Sequence, residues 1–130
     1  MAVERADRQT SVLDQAALAE LIRSGALDRH VRRSRLRYRR RRDALVAALA
    51  TVPHVRAGGI AAGHHAVVQL ADGRSEAEAV ARLAAGGVAV HPLAPYWHRS
   101  RPASGLVVGF GTPPEHAFPA ALAALIAGLR

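Results

Sequence analysis

Residues 63–78 read GHHAVVQLADGRSEAE, and the change of period inside this stretch decides the fold. His65, Val67 and Gln69 alternate with Ala66, Val68 and Leu70, the two-residue repeat of a strand with unlike faces. Asp72-Gly73 supplies a turn. Ser75, followed three residues later by Glu78, makes a capping box that starts a helix running to about Ala85. A strand, a tight turn and a helix in so short a span predict a sheet backed by helices.

Working upstream, Val55 leads into Ala57-Gly58-Gly59, an earlier strand bounded by glycines, and Pro53 closes whatever helix precedes it. That helix is predicted from about Leu27 to Ala50, with Leu27, Val31, Ser34, Tyr38, Leu45 and Leu49 along one stripe. Arg41 and Arg42 fall near the stripe, so their stems are expected to snorkel over apolar surface. Before it, Ser11 reads as an N-cap with Asp14 in the first turn; Leu13, Ala17, Leu18, Leu21 and Ile22 follow at helical spacing, and Gly25 ends the helix.

Downstream, Gly86-Gly87 breaks the middle helix, and Val88-Ala89-Val90 is predicted as a short strand ended by Pro92. A loop from Pro92 to Ala103 carries Tyr96, Trp97 and His98, and a strand runs from Leu106 to Phe110. Thr112, Pro113 and Glu115 read as N-cap, first-turn proline and capping-box acid of a last helix ending near Leu129. The order α, α, β, β, α, β, β, α implies an α+β fold, an α/β sandwich: a small, mainly antiparallel sheet with helices on one side.

The chain's 130 residues suffice for a compact domain with a real core, and half of them are hydrophobic. Aromatics are scarce, so Ala, Val, Leu and Ile must build that core, which predicts marginal stability alone or dependence on a partner surface. No cysteine is present, which excludes disulfides and thiolate metal sites. The opening MAVERADRQT lacks the apolar stretch of a signal peptide and no window is long enough for a membrane span, so a cytoplasmic protein is expected. All 18 basic residues are arginine, and nine of them lie between Arg29 and Arg42 with no acid among them. The net charge of +8 is therefore one local feature, in a composition that also suggests a GC-rich coding bias.

The segment DRQTSVLDQAALAELIRSGALDRHVRRSRLRYRRRRDALVAAL, and within it the pattern DRQ…LDQ…G…DRHVRR, resembles the MocR-type transcriptional regulators of the GntR family. Those proteins join a winged-helix DNA-binding domain to an aminotransferase-like domain of pyridoxal-phosphate (PLP) fold type I. The resemblance continues through GIAAGHHAVVQL, GVAVHPLAPYW and SGLVVGFG, and covers roughly residues 7–129. It implies that residues 1–26 are a remnant of the large-domain boundary and that 27–130 are the long helix plus the small C-terminal domain. In such proteins the Schiff-base lysine lies upstream, so the resemblance implies a truncated gene product or a domain completed by another chain. PLP is the cofactor of the parent family. None is expected on this chain alone, because it has no lysine to form an internal aldimine. The resemblance also implies a substrate-carboxylate arginine at the start of LVVGFG, where this chain has Val107 or its neighbours instead.

The resemblance makes His65, Tyr96 and Arg99 the substrate-side candidates: His65 matches the histidine of the family's GLH strand start, where it faces the cofactor side or caps the sheet edge. His64 and His65, adjacent on a strand, point to opposite faces and cannot chelate one metal together, and no other spacing supports a metal site. Gly109-Phe110-Gly111 is no phosphate loop, since no lysine follows it. Arg32, Arg33, Arg35, Arg39 and Arg40 are candidates for polyanion contact. The expected function is an aminotransferase-like small domain, inactive alone, that forms the substrate-side lid of a PLP site once a large-domain chain or a second copy completes it. The alternative is a small basic module binding nucleic acid or an acidic partner through the Arg29–Arg42 helix. A homodimer or aggregation is expected, because the helix at 11–24 and the apolar side of the 27–50 helix should expose aliphatic surface.

Overall fold

A computed structural model describes residues 11–58, 63–71, 73–98 and 103–130. The chain divides into two compact units, residues 1–37 and 38–130.

In the first unit, helix α1 spans Val12–Arg23. Its start is local chemistry: the Ser11 hydroxyl accepts the Asp14 N–H at 3.4 Å. Its end is local too, because Gly25 sits at φ +68°, a left-handed conformation open to glycine at little cost. None of its residues is buried. Helix α2 spans Ala26–Leu49 and so begins in this unit and ends in the second.

The second unit holds strands β1 (Val55–Gly58), β2 (His65–Leu70), β3 (His91–Pro92) and β4 (Gly105–Gly109), with helices α3 (Glu76–Ala85) and α4 (Phe118–Leu129). A single turn of 3₁₀ helix at Ala94–Tyr96 follows β3. The sheet order is β1-β2-β4-β3, and every neighbouring pair is antiparallel. The last strand thus inserts between the second and the third. Val68 lies opposite Leu106 and Ala66 opposite Val108, so the even-numbered residues of β2 and β4 share one face. That face meets Leu45 and Leu49 of α2, Ala79 and Leu83 of α3, and Leu125, Ile126 and Leu129 of α4 in one apolar core. Leu83, Val68 and Leu106 are fully buried. Each such aliphatic side chain contributes about 1.5–3 kcal/mol by leaving water. This is the antiparallel sheet backed by helices that the change of period predicts.

Helices α3 and α4 approach closely. A Cβ on Gly128 would lie 2.6 Å from a methyl of Leu83, so a bare backbone at that position is what allows the packing.

Four details differ from the sequence expectation. Residues 88–90 form no strand; Val88 instead donates back to the Leu83 carbonyl at 2.9 Å, completing the C-terminal cap of α3 around Gly87 at φ +76°. The strand is His91–Pro92, and Val90 goes into the core. The last helix begins at Phe118 rather than after Thr112, and its N-cap Ala117 has no side-chain bond. Glu115 is drawn instead to Arg41, 74 residues away in sequence. The third difference is Arg41 itself: it does not snorkel to solvent but is buried, at 3% exposure. Finally, the apolar side of the long helix is covered toward its C-terminal end, where Leu45 and Leu49 are each only 1% exposed, while Leu27 and Val31 nearer its start are half-buried.

Candidate functional site

The odd-numbered residues of β2 and β4 occupy the face of the sheet opposite the helices. His65 lies beside Gly109, Val67 beside Val107, and Gln69 beside Gly105. His91 on β3 also pairs with Val107, so an imidazole and two valines adjoin at the middle of the sheet. His65 and His91 are exposed, and Val67 and Val107 are half-buried. The His65 ring lies over Gly109, within 3.5 Å of where a Cβ would stand. His64 goes to the other side, with its ring edge-on to Tyr38 at a centroid distance of 4.2 Å. The opposed directions expected of this histidine pair are therefore observed. The sequence offers His91 only as a histidine that could converge with His64 or His65, and the strand pairing puts it near His65, across β4. That signal was weak, since it required the pairing of a two-residue strand.

Strand β4 is held at both ends by buried charge. At its start, Glu76 accepts the Gly105 N–H at 2.8 Å with one carboxylate oxygen and the Ala94 N–H at 3.1 Å with the other. Just beyond its end, Arg41 donates to the carbonyls of Phe110 and Gly111 at 3.2 Å each, and to Glu115 at 2.9 Å. The Arg41 guanidinium also lies 4.9 Å from the Phe118 ring centroid, a cation–π contact. Buried ions persist only with such partners, because desolvation is otherwise prohibitive. Neither residue stands out in the sequence. Arg41 is one of a run, and Glu76 looks like any acid in a first helical turn.

The substrate-side candidates are not gathered round one point. His65 is at the Gly109 end of β4, whereas the chain leaves β3 for Tyr96 at the Gly105 end. Tyr96 and Trp97 are both exposed. Arg99 lies outside the described residues. Arg32, Arg33, Arg35, Arg39 and Arg40 are all exposed on α2, spread round the helix outside the stripe formed by Leu27, Val31, Ser34, Tyr38, Arg41, Leu45 and Leu49 rather than along one line. No group of three or more metal-ligating side chains occurs among the described residues. No helix among them is long and apolar enough to cross a membrane.

Solved aminotransferase structures match almost the whole chain. Multiple substrate aminotransferase from Thermococcus profundus is 25% identical with a TM-score of 0.77, over 98% of this chain and 32% of that one. LysN, an α-aminoadipate aminotransferase from Thermus thermophilus complexed with N-(5'-phosphopyridoxyl)-L-leucine, is 25% identical with a TM-score of 0.78, over 98% of this chain and 33% of its own. Kynurenine aminotransferase of Pyrococcus horikoshii, solved with PMP, is 24% identical with a TM-score of 0.78, over 98% and 32%. The fold is thus that of an aminotransferase-like domain of PLP fold type I.

Curated sequences narrow the class. The HTH-type pyridoxine biosynthesis transcriptional regulator PdxR of Corynebacterium glutamicum is 37% identical over 103 residues, 79% of this chain and 22% of the regulator. The uncharacterized HTH-type transcriptional regulator YhdI of Bacillus subtilis is 29% identical over 111 residues, 84% of this chain and 24% of its own. No protein-family profile matches. The chain corresponds to the aminotransferase-like C-terminal domain of MocR-type regulators, and spans about a quarter of the length of the curated relatives it matches.

The residues present do not fit PLP as a covalently held cofactor. The open face of the sheet offers imidazoles, aliphatics and an amide, and no lysine occurs anywhere in the sequence.

Proposed function

We propose that this domain forms the substrate-side wall and lid of a PLP site whose cofactor is held by an aminotransferase-type large domain, within a regulator of the MocR type. The observation that carries the reading is the bare apolar face of α1. Val12 and Leu13 are 77% and 81% exposed, and Leu18, Leu21 and Ile22 are also open, on a fold that accounts for only a third of the aminotransferases it resembles. Aliphatic side chains at helical spacing are normally covered, and contiguous exposed ones mark an interaction surface. On this reading residues 1–26 lie at the large-domain boundary and 27–130 form the small domain. His65, Tyr96 and Arg99 are its substrate-side candidates.

Val107 supports sensing rather than transamination. At the start of LVVGFG the chain has Val107 or its neighbours and no arginine, so the guanidinium that would grip a substrate carboxylate in two parallel bonds is missing.

The test is chemical. The chain is incubated with PLP, reduced with borohydride and analysed by peptide mass spectrometry. No side-chain adduct is expected. When a separately produced, lysine-bearing large domain of a MocR-type regulator is added, the two are expected to co-elute and to shift the cofactor's absorbance. Reductive trapping of PLP on a side chain of this protein, or amino-acid turnover by it alone, overturns the reading.

A further inference from the structure

We propose that Glu76 is a positioning residue, a buried carboxylate clamp that fixes where the Tyr96–Trp97 loop is presented. For its purpose the inference rests on the substrate-side reading above; its geometry does not.

Glu76 opens α3 and is 7% exposed. A glutamate in a first helical turn ordinarily faces the free N–H groups of its own helix. Here that task falls to Ser75, whose hydroxyl accepts the Glu78 N–H at 3.4 Å. Both oxygens of Glu76 turn elsewhere, to Ala94 and Gly105, 18 and 29 residues further along the chain. A third bond, from the Leu93 N–H to the Gly105 carbonyl at 2.9 Å, closes the same junction. Ala94 and Gly105 are therefore brought to one point, and one carboxylate binds both.

The packing leaves that point little freedom. A Cβ on Gly105 would stand 2.9 Å from both a Leu93 methyl and the Val68 carbonyl, so glycine is required there and Leu93 is seated against bare backbone. From Leu93 and Ala94 the 3₁₀ turn runs on directly: Tyr96 donates to the Leu93 carbonyl at 3.0 Å and Trp97 to that of Ala94 at 3.2 Å. Tyr96 and Trp97 are thus one hydrogen-bonded step from the clamped residues. Two exposed aromatic side chains are held from below by a charge that solvent hardly reaches.

Trp97 is the only tryptophan, so its emission reports on the loop alone. In the full chain the Ala94 and Gly105 amides are expected to be protected from hydrogen exchange. In Glu76→Gln the carboxamide keeps one acceptor oxygen and turns an N–H₂ toward the other donor. Protection at one of the two amides should then fall roughly tenfold, and Trp97 should become more accessible to acrylamide. The amides of Val68 and Leu83 in the core should keep their protection. Ala94 and Gly105 amides unprotected in the unaltered chain, or Trp97 quenching unchanged in Glu76→Gln, overturn the proposal. A uniform loss of protection across the core overturns it too, since Glu76 would then serve general stability. These measurements use no PLP, so their failure leaves the large-domain reading standing, and failure of that reading leaves the clamp.

Discussion

Helices α1 and α4 are each 12 residues long and each rich in Ala and Leu, yet one lies wholly exposed and the other forms part of the core. The local chemistry runs the opposite way. The exposed helix has a serine N-cap, an acid in its first turn and an arginine in its last. The buried one starts without a side-chain cap and carries a proline and a glycine. Capping and propensity make α1 a helix that is legible by itself. What makes α4 a helix is the surface that receives it, chiefly Leu83 and the even-numbered side of the sheet. Aliphatic content marks a helix for burial, but only a complementary surface accomplishes it.

The strongest way to break this comparison is a matched pair of truncations. Leu125→Ala in α4, at 4% exposure, is expected to cost about 2–5 kcal/mol in urea unfolding. Leu13→Ala in α1, at 81% exposure, should cost less than about 0.5 kcal/mol. Comparable losses would mean that α1 is covered in solution by another molecule of the chain.

A second pair sharpens the same contrast within one helix. Arg40 and Arg41 are neighbours, the first exposed and the second 3% exposed. Arg41→Ala deprives two carbonyls of their donor and should lower stability by about 2–3 kcal/mol, while Arg40→Ala should change it by under about 0.5 kcal/mol. The Glu115 contact accounts for little of the Arg41 effect, since that glutamate is 72% exposed and screened by water. Equal effects at the two positions, read from the same unfolding curves, would show that the Arg41 bonds to Phe110 and Gly111 contribute nothing special.

The smallest effect on stability belongs to the outer arginines. Replacing Arg32, Arg33, Arg35, Arg39 and Arg40 together by alanine should leave the unfolding midpoint nearly unchanged. It should abolish a weak, sequence-indifferent attraction to heparin or duplex DNA that fades as salt rises. Binding to one DNA sequence that survives moderate salt would contradict this and revive the nucleic-acid alternative.

What was legible in the sequence is what short-range chemistry settles. The Ser11 and Ser75 caps, the turn glycines at 25, 73 and 87, and the alternation through β2 all appear where the residues put them. The errors share a cause. Thr112, Pro113 and Glu115 spell a helix start, but a guanidinium from a distant helix takes the acid and the start moves to Phe118. Val88 and Val90 look like strand residues, but one completes a helix cap and the other fills the core. The Glu76 clamp and the placement of His91 beside Val107 depend on strand order, and no local pattern encodes strand order.

The margins of the sheet carry one more consequence. Among the described residues its outermost strands are four and two residues long, and one of them contains a proline that has no N–H to offer a newcomer. Such stubby borders give another chain almost nothing to extend by backbone pairing, so they are poor templates for fibrils. If copies of this domain stick together, they do so side chain to side chain through their greasy helix, as reversible clusters that detergent disperses.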